Sequence, residues 1–299
     1  MYQPAYIDLY NSGELTFKIK ELEKAMQNCD LCPHFCFTDR FIKGSGKCKT
    51  KALPVLSSAG PHFGEEPPLV GFYGSGTLFM TSCNLHCKFC QNYDISQLNF
   101  GRELSYQELS ETMIELQKKG CHNINFVTPT HQLYAIMKAL ELAVPLGLNI
   151  PLVYNSGGYD LVSTLKLLRG IFDIYMPDFK YFYQETAEKL SGAGNYPEVA
   201  IAAILEMHSQ VGDLETDPSG IARRGLIVRH LVLPGHIEES TRVIDFLSNH
   251  LPHTYFNLMD QYRPEFRALE DPELNRRLNS EEYRKLFNYA TKAGLHLAE

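Results

Sequence analysis

The sequence predicts an α/β protein, an incomplete barrel of six β–α units with a small Cys-rich lobe before it and a helix after it. Two observations predict this. From Gly76 onward, short apolar, β-branched runs alternate with amphipathic stretches of helical length, the pattern of a parallel sheet covered by helices. Before Gly71 that rhythm is missing, and the chain is rich in Cys, Pro and Gly. The expected organisation is a Cys-rich lobe over residues 1–70, a partial barrel over 71–262 and a helical extension over 263–299.

The six expected strands are Thr77–Thr81, Asn123–Thr128, Asn149–Tyr154, Phe172–Met176, Leu226–Leu233 and Tyr255–Met259. Most are followed by a Pro, Gly, Asn or Asp that would end them. Ser105–Lys119 reads as a helix, with Ser105 as N-cap, Glu108 as its capping-box partner and Gly120 closing it. Leu133–Leu146, Tyr159–Leu168 and Glu238–Asn249 follow the same logic, and the longer Tyr183–Val211 insert has room for two helices. Ser280–Ala293 is a capped helix outside the repeat. Ala59–Pro68 reads as the linker between lobe and barrel, and the glycines between Gly71 and Gly76 as a turn, since they precede a strand and do not join one to a helix.

With 299 residues, 44% of them hydrophobic, the chain can bury a large core. Its net charge of −7 offers no general attraction to nucleic acid or anionic membranes. Neither a signal peptide nor an apolar membrane span is evident, so the cytoplasm is the expected location. There, eight cysteines point to metal or redox work and away from disulfides. Seven fall into two groups, and Cys121, beside an expected strand, reads as a buried small hydrophobe.

Thr77–Thr81 runs directly into Ser82-Cys83-Asn84-Leu85-His86-Cys87-Lys88-Phe89-Cys90. This places a C-x3-C-x2-C group on a loop at a strand's C-terminal end, where barrel active sites form. Three thiolates so close can ligate three corners of an iron–sulfur cubane and leave its fourth iron open to a substrate. A structural zinc would want a fourth, closing ligand, which His86 could supply.

This loop, with an aromatic residue before its third cysteine, resembles the radical S-adenosylmethionine (SAM) superfamily. Gly74-Ser75-Gly76-Thr77, Gln91-Asn92-Tyr93 and Leu231-Val232-Leu233-Pro234-Gly235 are similar to a branch near the pyruvate formate-lyase activating enzymes. The resemblance implies an incomplete (β/α)6 TIM-like barrel of the radical SAM type. It also implies a [4Fe-4S] cluster on Cys83, Cys87 and Cys90 that cleaves S-adenosylmethionine reductively to a 5′-deoxyadenosyl radical. Phe89 and residues at successive strand ends would then complete the cofactor site. Thr128 stands where the family often has a Gly-Gly-Glu, and a helix cap is its other reading. Asn155 and Ser156 follow the third strand, where they could bond the cofactor or simply form a turn. Asp178 and Lys180 match an Asp-x-Lys element of the activating enzymes, and a surface ion pair is the alternative. Of Arg229 and His230 one should point inward, and His230 fits the family better, with a hydrogen-bonded core histidine as its other reading.

Cys29, Cys32, Cys36 and Cys48 form a separate C-x2-C-x3-C-x11-C group. Four thiolates make a closed site for zinc or for an auxiliary cluster, and the spacing does not choose between them. Related branches carry a similar cysteine-rich N-terminus, which the resemblance implies binds metal, whereas two-cluster activating enzymes typically carry their extra cysteines after the radical motif. The implied partners are an electron donor such as flavodoxin or ferredoxin and a glycyl-radical protein as substrate. The alternatives are modification of a small molecule, peptide or RNA, and a non-enzymatic metal-binding interaction module. No acid–base residue is needed for the cleavage, and none is nominated.

Overall fold

The computed structural model describes residues 2–44 and 46–298. Its strands are β1 Val55–His62, β2 Ser75–Met80, β3 Arg102–Glu103, β4 Ile124–Val127, β5 Leu152–Ser156, β6 Ile174–Pro177, β7 Glu215–Thr216, β8 Ala222–Leu231, β9 Tyr255–Met259 and β10 His296–Leu297. The α-helices are α1 Ala5–Ser12, α2 Glu14–Gln27, α3 Pro67–Val70, α4 Tyr93–Ser96, α5 Tyr106–Lys118, α6 Leu133–Ala143, α7 Val162–Leu167, α8 Gln184–Ser191, α9 Tyr196–Val211, α10 Ile237–His250 and α11 Ser280–Lys292. Among the described residues no helix is long and apolar enough to cross a membrane.

The six expected strands are β2, β4, β5, β6, β8 and β9, and they lie side by side in that order, all parallel. Among the described residues no pairing joins the β1–β3 end of the sheet to the β9–β10 end, so the barrel is open. Alternation along each strand divides the apolar residues into two compartments. Val153, Ile174, Ile227 and Tyr255 join Leu69, Met176 and Ala222 in a small inner cluster. Their immediate neighbours Tyr154, Tyr175, Val228 and Phe256 point the other way, into the large core between sheet and helices. Each such side chain contributes about 1.5–3 kcal/mol of burial.

Local signals behave as their chemistry requires. Ser105 accepts the Glu108 N–H while the Glu108 carboxylate accepts the Ser105 N–H, so the capping box starts α5 as expected. The insert after β6 holds two helices, α8 and α9. Cys121 is buried at 3% exposure.

The stretch Ala59–Pro68 is not a linker. Its first residues continue β1, which pairs antiparallel with β2 from Leu56↔Met80 to His62↔Ser75, and its last two begin α3. Ser57, Ser58, Gly60 and Pro61 lack the β-branched and aromatic content of a strand, so the ladder to β2 makes this one, not its own propensity. The segment before it also carries two helices that the Cys- and Pro-rich composition concealed. Tyr6, Leu15, Ile19, Leu22 and Met26 bury their side chains in the same outer core as the barrel.

Candidate active site

The C-terminal ends of the parallel strands open onto one cavity of about 280 Å³. Its walls are Cys83, Cys87, Phe89 and Cys90 from the loop after β2, Thr128 after β4, Asn155, Ser156 and Gly157 from the end of β5, Asp178 and Lys180 after β6, and Arg229 from β8. The chain leaves β2 through Ser82, which adopts a left-handed φ of 68° and donates its hydroxyl to Asn99 at 2.6 Å. That turn aims the cysteine loop across the mouth.

Each of the three sulfurs has a polar neighbour. The Leu85 N–H donates to Cys83 Sγ at 3.3 Å, the Ser191 hydroxyl to Cys87 Sγ at 3.0 Å, and Cys90 Sγ lies 3.1 Å from Ser96 Oγ. Burial, reinforced by the adjacent Cys87, pushes the Cys83 and Cys90 thiols up, and the Lys180 ammonium opposes this. Among the described residues no three His, Cys, Asp or Glu side chains are drawn into a ready-made metal-ligand set, these cysteines included. Metal binding itself has to supply the final convergence. Three soft sulfur donors on one cavity wall, beside a fixed cation, are a donor set that fits an iron–sulfur cluster.

Asp178 and Lys180 sit on the same side of the extended chain after β6, as alternation requires. Lys180 Nζ donates to Asp178 Oδ2 at 2.6 Å, and Arg229 Nε donates to Asp178 Oδ1 at 3.0 Å. Burial alone would raise the Asp178 carboxyl, but Lys180 and Arg229 outweigh it and hold it below its ordinary value. Arg229 also donates to Asn155 Oδ1 at 2.7 Å and lies 3.5 Å from the Glu65 carboxylate, behind the cavity. Behind this network, the Tyr196 hydroxyl accepts the Lys180 N–H at 2.8 Å and meets the Asp178 carbonyl at 2.8 Å. Gly158, at φ +76°, passes so close to the Asp178 carbonyl that a Cβ there would collide with it.

Thr128 lines the cavity in a left-handed conformation, φ 59°, with its N–H on the Asn155 carbonyl at 2.8 Å. Ser156 reaches the wall, but its hydroxyl is committed to Asp160 Oδ2 at 2.7 Å. Phe89 is buried and packs edge-on against Tyr181 and Tyr262, so it anchors the loop.

His230 does not face the cavity. Its Nδ1 meets the Phe179 carbonyl at 2.6 Å and its Nε2 the Ser240 hydroxyl at 2.8 Å, on the helix side of β8. The inward residue is its neighbour Arg229, in phase with Ile227 of the inner cluster. The apolar run Leu226–Val228 hides this phase, because a strand buried on both faces shows no alternation of polarity. Arg229, the other of the two candidates, is thus the one that lines the cavity.

Burial pushes His230 down to about 4, against the Phe179 carbonyl, from an ordinary 6.5. A histidine depressed in the fold gives its full stabilisation above the unfolded value and loses it as pH falls, because the unfolded chain takes up a proton that the native one refuses. His230→Asn should therefore flatten the fall in denaturant midpoint between about pH 6.5 and 4. An unchanged slope would contradict the buried neutral ring.

The family model of the radical SAM superfamily matches residues 77–247, from β2 into α10. The chain belongs to the radical SAM superfamily. An uncharacterised protein of Methanocaldococcus jannaschii is 36% identical over 292 residues, covering 95% of this chain and 80% of that one. Among solved structures, Streptococcus suis SuiB bound to the precursor peptide SuiA gives a TM-score of 0.49 at 14% identity, over 73% of this chain and 46% of that one. Native anSMEcpe with bound AdoMet gives 0.47 at 13% identity, over 73% of this chain and 61% of that one. The chain thus spans less than two thirds of either solved structure. The radical SAM match covers β2 to β9 only in part, ending before β9, and leaves the N-terminal cysteines outside it.

Proposed function

We propose that this radical SAM protein holds a [4Fe-4S] cluster on Cys83, Cys87 and Cys90 and cleaves S-adenosylmethionine reductively. The observation that carries this reading is the meeting of three thiols with an Asp–Lys–Arg network in one cavity at the barrel mouth. When bound, the cluster supplies one electron, taken from a donor such as flavodoxin or ferredoxin, to the sulfonium, giving methionine and a 5′-deoxyadenosyl radical that abstracts hydrogen from the substrate.

The chain's own residues bind and orient. Asp178, kept ionised by its two cations, suits the ammonium of the cofactor's amino-acid end, and Lys180 suits its carboxylate. Thr128, Asn155 and Ser156 form the polar wall, and Arg229 fixes both Asp178 and Asn155. Phe89 holds the loop shut against Tyr181 and Tyr262. The substrate we propose is a protein segment giving up hydrogen from a backbone glycine, in line with the activating enzymes the sequence resembles. A cavity of about 280 Å³ is at the foot of the range of about 300–1,000 Å³ for small-molecule sites. It suits the cofactor, with the reacting hydrogen presented from outside by an extended segment.

The decisive measurement is product formation. Anaerobically reconstituted protein, reduced with dithionite, should convert S-adenosylmethionine to 5′-deoxyadenosine and methionine in equal amounts. Absence of both products from protein with a full, reducible cluster would remove the reading and leave a metal-binding module.

A further inference from the structure

One cysteine group lies outside the barrel-mouth site altogether. Cys29, Cys32 and Cys36 follow α2, and Cys48 precedes β1. The segment folds back on itself, with the Cys29 N–H on the Thr38 carbonyl at 3.0 Å and the Phe37 N–H on the Cys29 carbonyl at 2.9 Å. A Cβ on Gly46 would lie 3.3 Å from Cys36 Sγ, so the turn before Cys48 packs on the Cys36 sulfur; among the described residues the four sulfurs are not drawn into a ready-made ligand set, and metal binding has to supply the final convergence.

Three further features suit thiolates better than thiols. A backbone N–H group is aimed at one of the sulfurs: Lys47 donates to Cys36 Sγ at 3.3 Å. Donors of this kind favour the ionised form. Phe35, Phe37 and Lys49 adopt φ values of 42°, 48° and 56° without being glycine, a cost that persists only where something fixes the backbone. Finally, Arg40 is 1% exposed, and its acceptors are the carbonyls of Thr50, Lys51 and His131 and the Thr50 hydroxyl, with no carboxylate among them. The Thr50 hydroxyl that accepts from Arg40 lies 3.2 Å from Cys48 Sγ, so the guanidinium sits against the cysteine segment. A buried cation calls for an anion, and the thiols beside it are the groups able to become one. Four thiolates around a divalent metal leave a net negative charge of the kind Arg40 would balance.

The same segment grips the barrel's cysteine loop. His34 Nε2 lies 2.6 Å from the carbonyl of Asn84, the residue after Cys83.

We propose that Cys29, Cys32, Cys36 and Cys48 form a four-thiolate metal centre, charge-balanced by Arg40, that braces the Cys83–Cys90 loop through His34. Zn(II) and an iron–sulfur cluster share this ligand chemistry. The inference does not depend on the proposed reaction.

The test uses the full chain with Cys83, Cys87 and Cys90 all replaced by Ala, purified anaerobically and analysed for metal and acid-labile sulfide. Stoichiometric zinc, or iron with sulfide, is expected, and loss of that metal on further Cys36→Ser and Cys48→Ser replacement. Zinc alone identifies a zinc site, and iron with sulfide a cluster. Absence of metal from the folded triple variant overturns the proposal. In the otherwise unaltered protein, alkylation of these four thiols should be blocked until a chelator is added; rapid labelling of all four in metal-loaded protein would likewise overturn it. Arg40→Gln should weaken metal retention against a competing chelator by about 10–100-fold, and unchanged retention would remove Arg40 from the site.

Discussion

Replacing Cys87 with Ala should reduce 5′-deoxyadenosine formation to background. Cys87 is the middle sulfur of the loop, buried at 8% exposure, and its neighbours Cys83 and Cys90 line the same cavity. Two thiolates cannot hold three corners of a cubane, so the cluster is lost or left unable to present its open iron. The fold should survive, because the loop is also fixed by the Lys88 N–H on the Leu190 carbonyl at 2.8 Å and by the buried Phe89 ring. Cys121→Ala is the matching control, since Cys121 is equally buried but stands apart from the cavity. The check is chromatographic quantification of 5′-deoxyadenosine, with circular dichroism to confirm folding. Undiminished product from the Cys87 variant would refute the cluster assignment.

Asp178→Ala should abolish tight binding of S-adenosylmethionine while the cluster still assembles. The carboxylate accepts from Lys180 and Arg229 together, so its removal leaves two largely buried cations without their shared anion. Breaking one buried pair costs about 3–5 kcal/mol. Repulsion between the two then moves both side chains out of place. A charge-assisted hydrogen bond to the cofactor is lost as well, worth about 1.5–3 kcal/mol, or roughly tenfold to hundredfold in affinity. Asp178→Asn, which keeps the shape and one acceptor, should recover part of the binding. Equilibrium binding of S-adenosylmethionine alongside the iron–sulfide content separates the effects. Wild-type affinity in the Ala variant would show that Asp178 does not face the cofactor.

The six parallel strands were legible because each is a short β-branched or aromatic run closed by a turn residue, and the cysteine loop because its spacing is chemically restrictive. Both survive in the structure, together with the Asp178–Lys180 pair and the capped helix α5. Three features were not legible, for separate reasons. β1 is a strand by partnership, and its Ser, Gly and Pro content reads as a linker until β2 is beside it. The inward phase of Arg229 cannot be read in a strand apolar on both faces, so its neighbour His230 was preferred. α1 and α2 lie before a cysteine-rich stretch whose composition dominated the reading of the whole segment, although Leu15, Ile19, Leu22 and Met26 do recur at helical spacing.

The packing of the first helices also bears on how the chain acquires its structure. The Tyr2 hydroxyl donates to Asp173 at 2.6 Å across a sequence separation of 171, and Tyr6 donates to the Ile150 carbonyl at 2.9 Å across 144. Such long-range closures form slowly, since loop entropy must be overcome before the contacts exist to reward it. During synthesis α1 and α2 emerge long before the strands they cover. Their apolar faces then stay exposed for the time it takes to make the first half of the barrel, a window in which a holding chaperone or a neighbouring chain can compete for them.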